Sequence, residues 1–172
     1  QQYALPCFIK RYPKNSTQRD EEVLRNFRYT FFEDLSKKHR FDSIALGHQK
    51  NDQAETFLLN LLRGSGPLGL AGMPPKYRHR IRPLLVLNRE EVLRYLEARS
   101  LPFRLDTSNH DTRYTRNRIR HELLPLLEER FNPNIIGTLA RSATLFQNSL
   151  TKQPRSQNIP HGKRSKKTAS YH

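Results

Sequence analysis

The sequence predicts an α/β fold: a partial, Rossmann-like parallel sheet with flanking helices and a helical C-terminal part. Three observations carry this. Short apolar runs at 43–46 and 81–86 alternate with helix-length amphipathic stretches, as when strands are joined through helices. The first run, Ser43-Ile44-Ala45-Leu46, leads straight through Gly47-His48 into a helical pattern. In doubly wound sheets ligands bind just beyond such strand ends. Beyond residue 112 only helical periodicity remains until a polar tail.

Taken in order, Leu5-Pro6-Cys7-Phe8-Ile9 reads as a short buried strand. A helix is expected over 16–39, where Leu24, Phe27, Phe31 and Leu35 recur at helical spacing and Thr17 and Asp20 resemble a capping pair. The run at 44–46 is expected as a central buried strand with His48 at its C-terminal end. A helix follows over 51–63, with Phe57, Leu58, Leu61 and Leu62 facing inward and Gly64 stopping it. Residues 64–80 read as a Gly/Pro loop, and 81–86 as an extended segment that Pro83 weakens. Asn88 and Glu91 form an N-cap pair for a helix reaching Arg99. Arg104 to Asp111 reads as polar loop. A helix over 112–130 should kink near Pro125, and Asn132-Pro133 opens a last helix to about Leu150.

The chain has 172 residues, enough for one domain with a real core. Its formal net charge of +15 points to a polyanionic partner, nucleic acid before membrane. No apolar stretch reaches the ~18 residues of a membrane span, and no N-terminal signal pattern is visible. Cys7 is the one cysteine, which excludes an internal disulfide framework and any CxxC site, and fits a reducing, cytoplasmic compartment. The chain opens Gln-Gln-Tyr rather than Met, so a fragment is expected. Residues 151–172 carry Lys152, Arg155, Lys163, Arg164, Lys166 and Lys167 with no acid and no apolar period, and are expected to be a disordered basic tail.

Three constellations carry chemistry. If a helix begins near Gln49, His48, Asp52 and Glu55 share one face. By spacing alone a capping pair Asp52-x-x-Glu55 beside a satisfied loop histidine is the commoner arrangement. Zinc has no second His or Cys nearby in ligand spacing. The loop Arg63-Gly64-Ser65-Gly66, continuing to Gly69 and Gly72, could bring backbone N–H groups to phosphates, or could simply connect helix to strand. It is neither a P-loop nor G-x-G-x-x-G. Finally, Arg113, Arg116 and Arg120 give one basic helix face behind the polar segment Asp106-Thr107-Ser108-Asn109-His110-Asp111. Such a face suits phosphate oxygens or plain solvation.

In order along the chain stand Gly47-His48-x-x-x-Asp52-Gln53-Ala54-Glu55-Thr56, Arg63-Gly64-Ser65-Gly66, Gly69-Leu70-Ala71-Gly72-Met73 and Arg82-Pro83-Leu84-Leu85. They continue with Asp106-x-Ser108-Asn109-x-Asp111-x-x-Tyr114-x-Arg116-Asn117-x-Ile119-Arg120 and Leu123-Leu124-Pro125. This ordered set, over about 21–146, resembles the tRNA(Ile)-lysidine synthetase family of the PP-loop ATP pyrophosphatases, whose fold is adenine nucleotide alpha hydrolase-like. Relatives that thiolate tRNA share the first motif but usually carry cysteine pairs. The chain departs from the pattern at Asn51-Asp52, where the family usually has two Asp, and in lacking the Ser-Gly-Gly-x-Asp-Ser loop, which would lie upstream of residue 1. Residues 1–150 are accordingly expected to be the second half of a catalytic domain, inactive alone.

The resemblance implies a two-step reaction. ATP adenylates the C2 oxygen of the wobble cytidine in a tRNA anticodon loop, and the side-chain amine of free lysine then displaces AMP. It implies His48, Asp52, Glu55, Arg116 and Arg120 as catalytic residues. Asp52 and Glu55 would hold the lysine ammonium, His48 would touch phosphate or relay a proton, and Arg116 and Arg120 would offset phosphate charge. Arg63, Ser65, Arg82 and Arg113 are the expected RNA contacts. ATP comes with Mg²⁺, bound through phosphates and waters and not through protein ligands. No membrane partner is expected, and a homodimer is compatible with the resemblance. A basic RNA-binding fragment or relic without catalysis, or another PP-loop tRNA-modifying enzyme, is the alternative.

Overall fold

The computed structural model describes residues 5–13, 21–103 and 114–152. In order they form helix α1 (Glu21–His39), strand β1 (Ile44–Ala45), helix α2 (Lys50–Leu62), a short helix α3 (Pro67–Leu70) and strands β2 (Lys76–Tyr77) and β3 (Arg80–Ile81). Helix α4 (Arg89–Ala98), helix α5 (Thr115–Arg118), a π turn (Ile119–Leu123), helix α6 (Leu124–Arg130) and helix α7 (Ile135–Lys152) follow. The fold is α/β, and its C-terminal part is helical. The Thr17/Asp20 pair, the 104–111 loop and the tail beyond Lys152 lie outside the described residues.

The core forms where α2 packs along α7, with the π turn against α2 and α6 against α7. Ala54, Phe57, Leu58 and Leu59 of α2 are buried with Ile119, Leu124, Leu139 and Ala143. The rings of Phe57 and Phe146 lie 6.3 Å apart. Fully burying a Leu or Phe side chain stabilises by about 1.5–3 kcal/mol, and the two alanines leave no bulk between the helices. Leu61 and Leu62, expected inside, are exposed, and Leu59 takes the inner position instead. By helical angle 61 and 62 share the stripe of 54 and 58, but they are the last two residues of α2, beyond the buried segment 53–59.

β1 pairs in parallel with β3 (Ile44 with Arg80, Ala45 with Ile81), and β2 pairs antiparallel to β3. The expected strand thus exists, but not as a central buried one. Among the described strands the order is β1-β3-β2, which leaves β1 at an edge. Ala45 is exposed and only Leu46 is buried, because so narrow a sheet cannot cover both faces of β1. The 5–9 run is not a strand either. It is exposed and unpaired among the described residues, Pro6 having removed a ladder donor. Its Phe8 ring sits 4.6 Å from that of His39 instead.

The segment expected as loop over 64–80 contains α3 and the β2–β3 hairpin, which turns through Arg78 at a φ of 54°. The extended stretch expected at 81–86 ends at Ile81. Pro83 cannot extend the ladder, and the chain turns there, with Leu85 N–H donating to Arg82 O. The capping box of α4 forms as expected, Glu91 N–H donating to Asn88 Oδ1 at 2.9 Å and Asn88 N–H to Glu91 Oε2 at 2.7 Å. The last helix begins at Ile135, two residues after Pro133, and Asn132 holds the turn that leads into it, accepting from Asn134 N–H at 2.9 Å. The distortion expected near Pro125 is a π turn just before it. Pro125 has no N–H for the His121 carbonyl, and Leu124 N–H reaches back five residues to Ile119 O.

The 71–73 loop is held from two helices. Gln53 accepts from Met73 N–H at 2.8 Å and donates to its carbonyl at 3.3 Å, while Gln147 donates to Met73 O at 3.0 Å. Gly72 makes this possible, with a φ of 62° and a hypothetical Cβ only 2.9 Å from the Gln53 amide. Gly72→Ala should therefore destabilise the chain by about 2 kcal/mol, counting left-handed backbone strain and the displaced amide. Urea unfolding would check this, and Gly47→Ala, which meets no atom within 4 Å, is the mild control.

Candidate functional site

α2 begins at Lys50 behind Gln49, whose backbone N–H donates to Asp52 Oδ2 at 2.8 Å. Asp52 thus serves the helix start as the third residue of a capping box. His48 lies ahead of the helix, so the expected trio does not share one helical face. The chain still brings all three together.

Glu55 is the most constrained of them. Its side chain is 1% exposed, yet a carboxylate in such a place must be compensated or protonated. Compensation comes from more than sixty residues downstream. Arg120 donates from Nε to Oε1 at 2.6 Å and from Nη2 to Oε2 at 2.9 Å, a two-pronged pairing. Arg116 Nε donates to Oε2 at 3.0 Å. Charge-assisted, bidentate bonds of this kind are the strong ones. Arg120 Nη2 also lies 3.5 Å from Asp52 Oδ1, and Arg116 Nη2 lies 3.3 Å from the Thr56 hydroxyl. The two arginine side chains keep 22% and 24% of their surface exposed, and Asp52 keeps 23%. Two cations and one carboxylate therefore face outward over a sealed anion.

Beside them, Arg82 is buried. Its Nε donates to His48 Nδ1 at 3.2 Å and its Nη1 to Pro74 O at 2.7 Å. With Nδ1 accepting, neutral His48 carries its proton on Nε2 and presents an N–H donor. Burial lowers the His48 pKa below its ordinary 6.5. The neighbouring charges of Arg82, Arg116 and Arg28 add to this, and Asp52 opposes it. His48 is thus arranged as a neutral donor rather than a base.

Residues 1–127 match the PP-loop domain family. The chain belongs to that family. Among curated PP-loop relatives it is 41% identical over 145 residues to the tRNA(Ile)-lysidine synthase of Clostridium perfringens strain ATCC 13124, covering 81% of this chain and 31% of the relative. The enzyme of the same name from Geobacter sulfurreducens is 46% identical over 157 residues, covering 85% and 32%. The one from Thermotoga sp. strain RQ2 is 44% identical over 128 residues, covering 74% and 31%. The chain thus spans about a third of the length of these relatives. Among solved structures, the U34-tRNA thiolase NcsA from Methanococcus maripaludis superposes with a TM-score of 0.57 at 20% identity, covering 83% of this chain and 48% of that one, a likeness of fold.

In this PP-loop chain His48, Asp52, Glu55, Arg82, Arg116 and Arg120 converge, with two placements that spacing did not show. Glu55 is sealed and bonded by both guanidinium groups. Arg82, expected on RNA, is buried and positions His48 instead. Arg63 and Ser65 lie past the far end of α2, about 20 Å from its start. Arg113 lies outside the described residues. The glycine loop offers few free donors, since the N–H groups of Gly64, Ser65, Gly69, Leu70, Ala71 and Gly72 all bond within it or to the end of α2. Among the described residues no cluster of three or more His, Cys, Asp or Glu could hold a metal ion. Gln53 had no role in the sequence reading. A glutamine between the inward positions of an amphipathic helix was the available signal, because buried amides find partners.

Glu55→Gln should cost about 3 kcal/mol, because it keeps the shape but leaves two guanidinium groups against a neutral amide. Chemical denaturation would read it, and an unchanged midpoint would contradict the pairing described. A second prediction concerns pH. With its pKa lowered on folding, His48 stays neutral where the unfolded chain already binds a proton. Its stabilisation is complete above about pH 6.5 and is lost as pH falls through the lower folded value. His48→Asn can keep the bond from Arg82 without titrating, so wild type should lose stability relative to that variant as pH falls below about 6.5. Parallel stability curves would show that His48 is not held as described.

Proposed function

We propose that this chain supplies one side of an ATP-dependent tRNA ligase site that joins free lysine to C2 of a wobble cytidine. The observation that carries this reading is the outward-facing set of Arg116, Arg120, Asp52 and His48, locked over buried Glu55, in a chain similar to enzymes named tRNA(Ile)-lysidine synthase. In the first step the cytidine C2 oxygen attacks the α-phosphate of ATP and pyrophosphate leaves. Arg116 and Arg120 offset the charge that gathers on the phosphates, and their pre-set orientation means they need not reorganise as it develops. The His48 Nε2–H donates to a phosphate oxygen. In the second step the lysine side-chain amine attacks C2 and AMP leaves. Asp52, the carboxylate of the pair that keeps part of its surface open, holds the incoming ammonium, and Glu55 acts by keeping the arginines in place. Mg²⁺ would ride on the ATP phosphates and waters, neutralising charge there. ATP, tRNA and free lysine meet in the cytoplasm, where we place the reaction.

The test uses the native full-length protein with ATP, lysine and a tRNA bearing a wobble cytidine. AMP release should depend on lysine. Asp52→Asn should weaken lysine use by about ten-fold or more, the scale of one charged hydrogen bond, while adenylation of the tRNA without lysine changes less. Equal loss in both steps would move Asp52 to the ATP side of the site.

A further inference from the structure

α1 and the β2–β3 hairpin build a ladder of alternating guanidinium groups and rings. The Arg80 guanidinium lies 4.7 Å from the centroid of the Tyr29 ring and 5.6 Å from that of Tyr77. Arg25 lies 5.6 Å from Tyr29, and Arg78 lies 5.6 Å from Tyr77. The inner rungs, Tyr29 and Arg80, are half-buried and seal α1 to the hairpin. Arg80 is not held as Arg120 is. Its Nε is buried without a hydrogen-bond partner among the described residues, and its contact to Glu33 is long, at 3.9 Å. Ring faces do most of the holding. The outer rungs differ, because Arg25, Arg78 and Tyr77 are exposed, Tyr77 by 49%.

We propose that Tyr77, flanked by Arg78 and Arg80, is a stacking site for an unpaired nucleobase of the RNA substrate. Packing explains the inner rungs but not an exposed aromatic ring on a cationic edge, next to a hairpin arginine held at a φ of 54°. A nucleobase is a planar group that can enter such a ladder on a tyrosine or guanidinium face, with its phosphates meeting the outer arginines. The place fits as well. Arg80 and Arg82 are two residues apart on one strand direction, about 6.5 Å, so the ladder begins beside the His48–Arg82 pair. A single strand with one nucleotide at that pair would have a neighbour within reach of Tyr77. The proposal rests on the preceding reading for its partner, RNA, but not for the chemistry assigned to His48 or Asp52.

The probe is a short, fluorescently labelled single-stranded oligoribonucleotide, titrated into the full 172-residue chain without ATP or lysine. Tyr77→Ala should weaken binding about ten-fold, the scale of one base–aromatic stack, with the salt dependence unchanged. Tyr77→Phe should bind as wild type does, and Arg78→Ala should lower the slope of log affinity on log salt by about one. An abasic strand of equal length should bind wild type and Tyr77→Ala alike. Equal binding of the base-bearing strand to both proteins overturns the proposal. So does an equal loss with the abasic strand, or with polyglutamate as the probe, either of which would mean a general anion surface. Circular dichroism checks that the variant folds. If it does not, a strand carrying 2-aminopurine decides with wild type alone: quenching on binding supports stacking, and unquenched binding refutes it. Failure of lysine-dependent AMP release would leave these outcomes untouched, so the two readings fail separately.

Discussion

A single buried carboxylate ties the two ends of this chain's site together. Glu55 sits on α2, and Arg116 and Arg120 arrive from α5 and the π turn more than sixty residues later. Neither half is stable as arranged without the other. The carboxylate alone would be an uncompensated anion in the core, and the guanidinium groups alone would repel at close range. A buried ion pair adds little net stability compared with an apolar pair, but it specifies geometry strictly. Here that strictness fixes which edges of the two arginines face outward.

The same arrangement divides labour between two carboxylates only three residues apart. Glu55 is consumed by its partners. Asp52 bonds the backbone at the start of α2 with one oxygen and turns the other toward Arg120 while keeping part of its surface exposed. His48 is treated similarly, one ring nitrogen being occupied by Arg82 and the other left to donate. Each residue is thus pinned by one atom and presented by another. Side chains held this way lose little further freedom on meeting a ligand.

What the sequence made legible was mostly local chemistry. The cap at Asn88, the turn at Asn132, the stop at Gly64 and the strand-to-helix passage at His48 depend on neighbours within a few positions, and they appear where residue types demand. The hairpin was hidden because strands of two residues show no alternation, and because Arg78 takes a left-handed turn usually left to glycine or asparagine. Spacing grouped His48, Asp52 and Glu55, and separately Arg116 and Arg120; the resemblance joined the two groups, and neither could say which carboxylate is sealed. That depends on arginines distant in sequence. For Arg82, expected on RNA, burial follows from two acceptors, His48 and the Pro74 carbonyl, that only the fold places beside it.

The π turn at Ile119–Leu123 resets the angular phase of one helical rod. A continuous α-helix would carry positions 116, 120, 123, 124 and 127 on overlapping stripes, mixing arginine with leucine on a single side. The one extra residue in the wide turn rotates everything after it by about a third of a revolution. Arg116 and Arg120 can then look toward Glu55 while Leu124 and Leu127 look into the core. A one-residue deletion there would read as a frame error in three dimensions, turning either the cations or the leucines away from their partners.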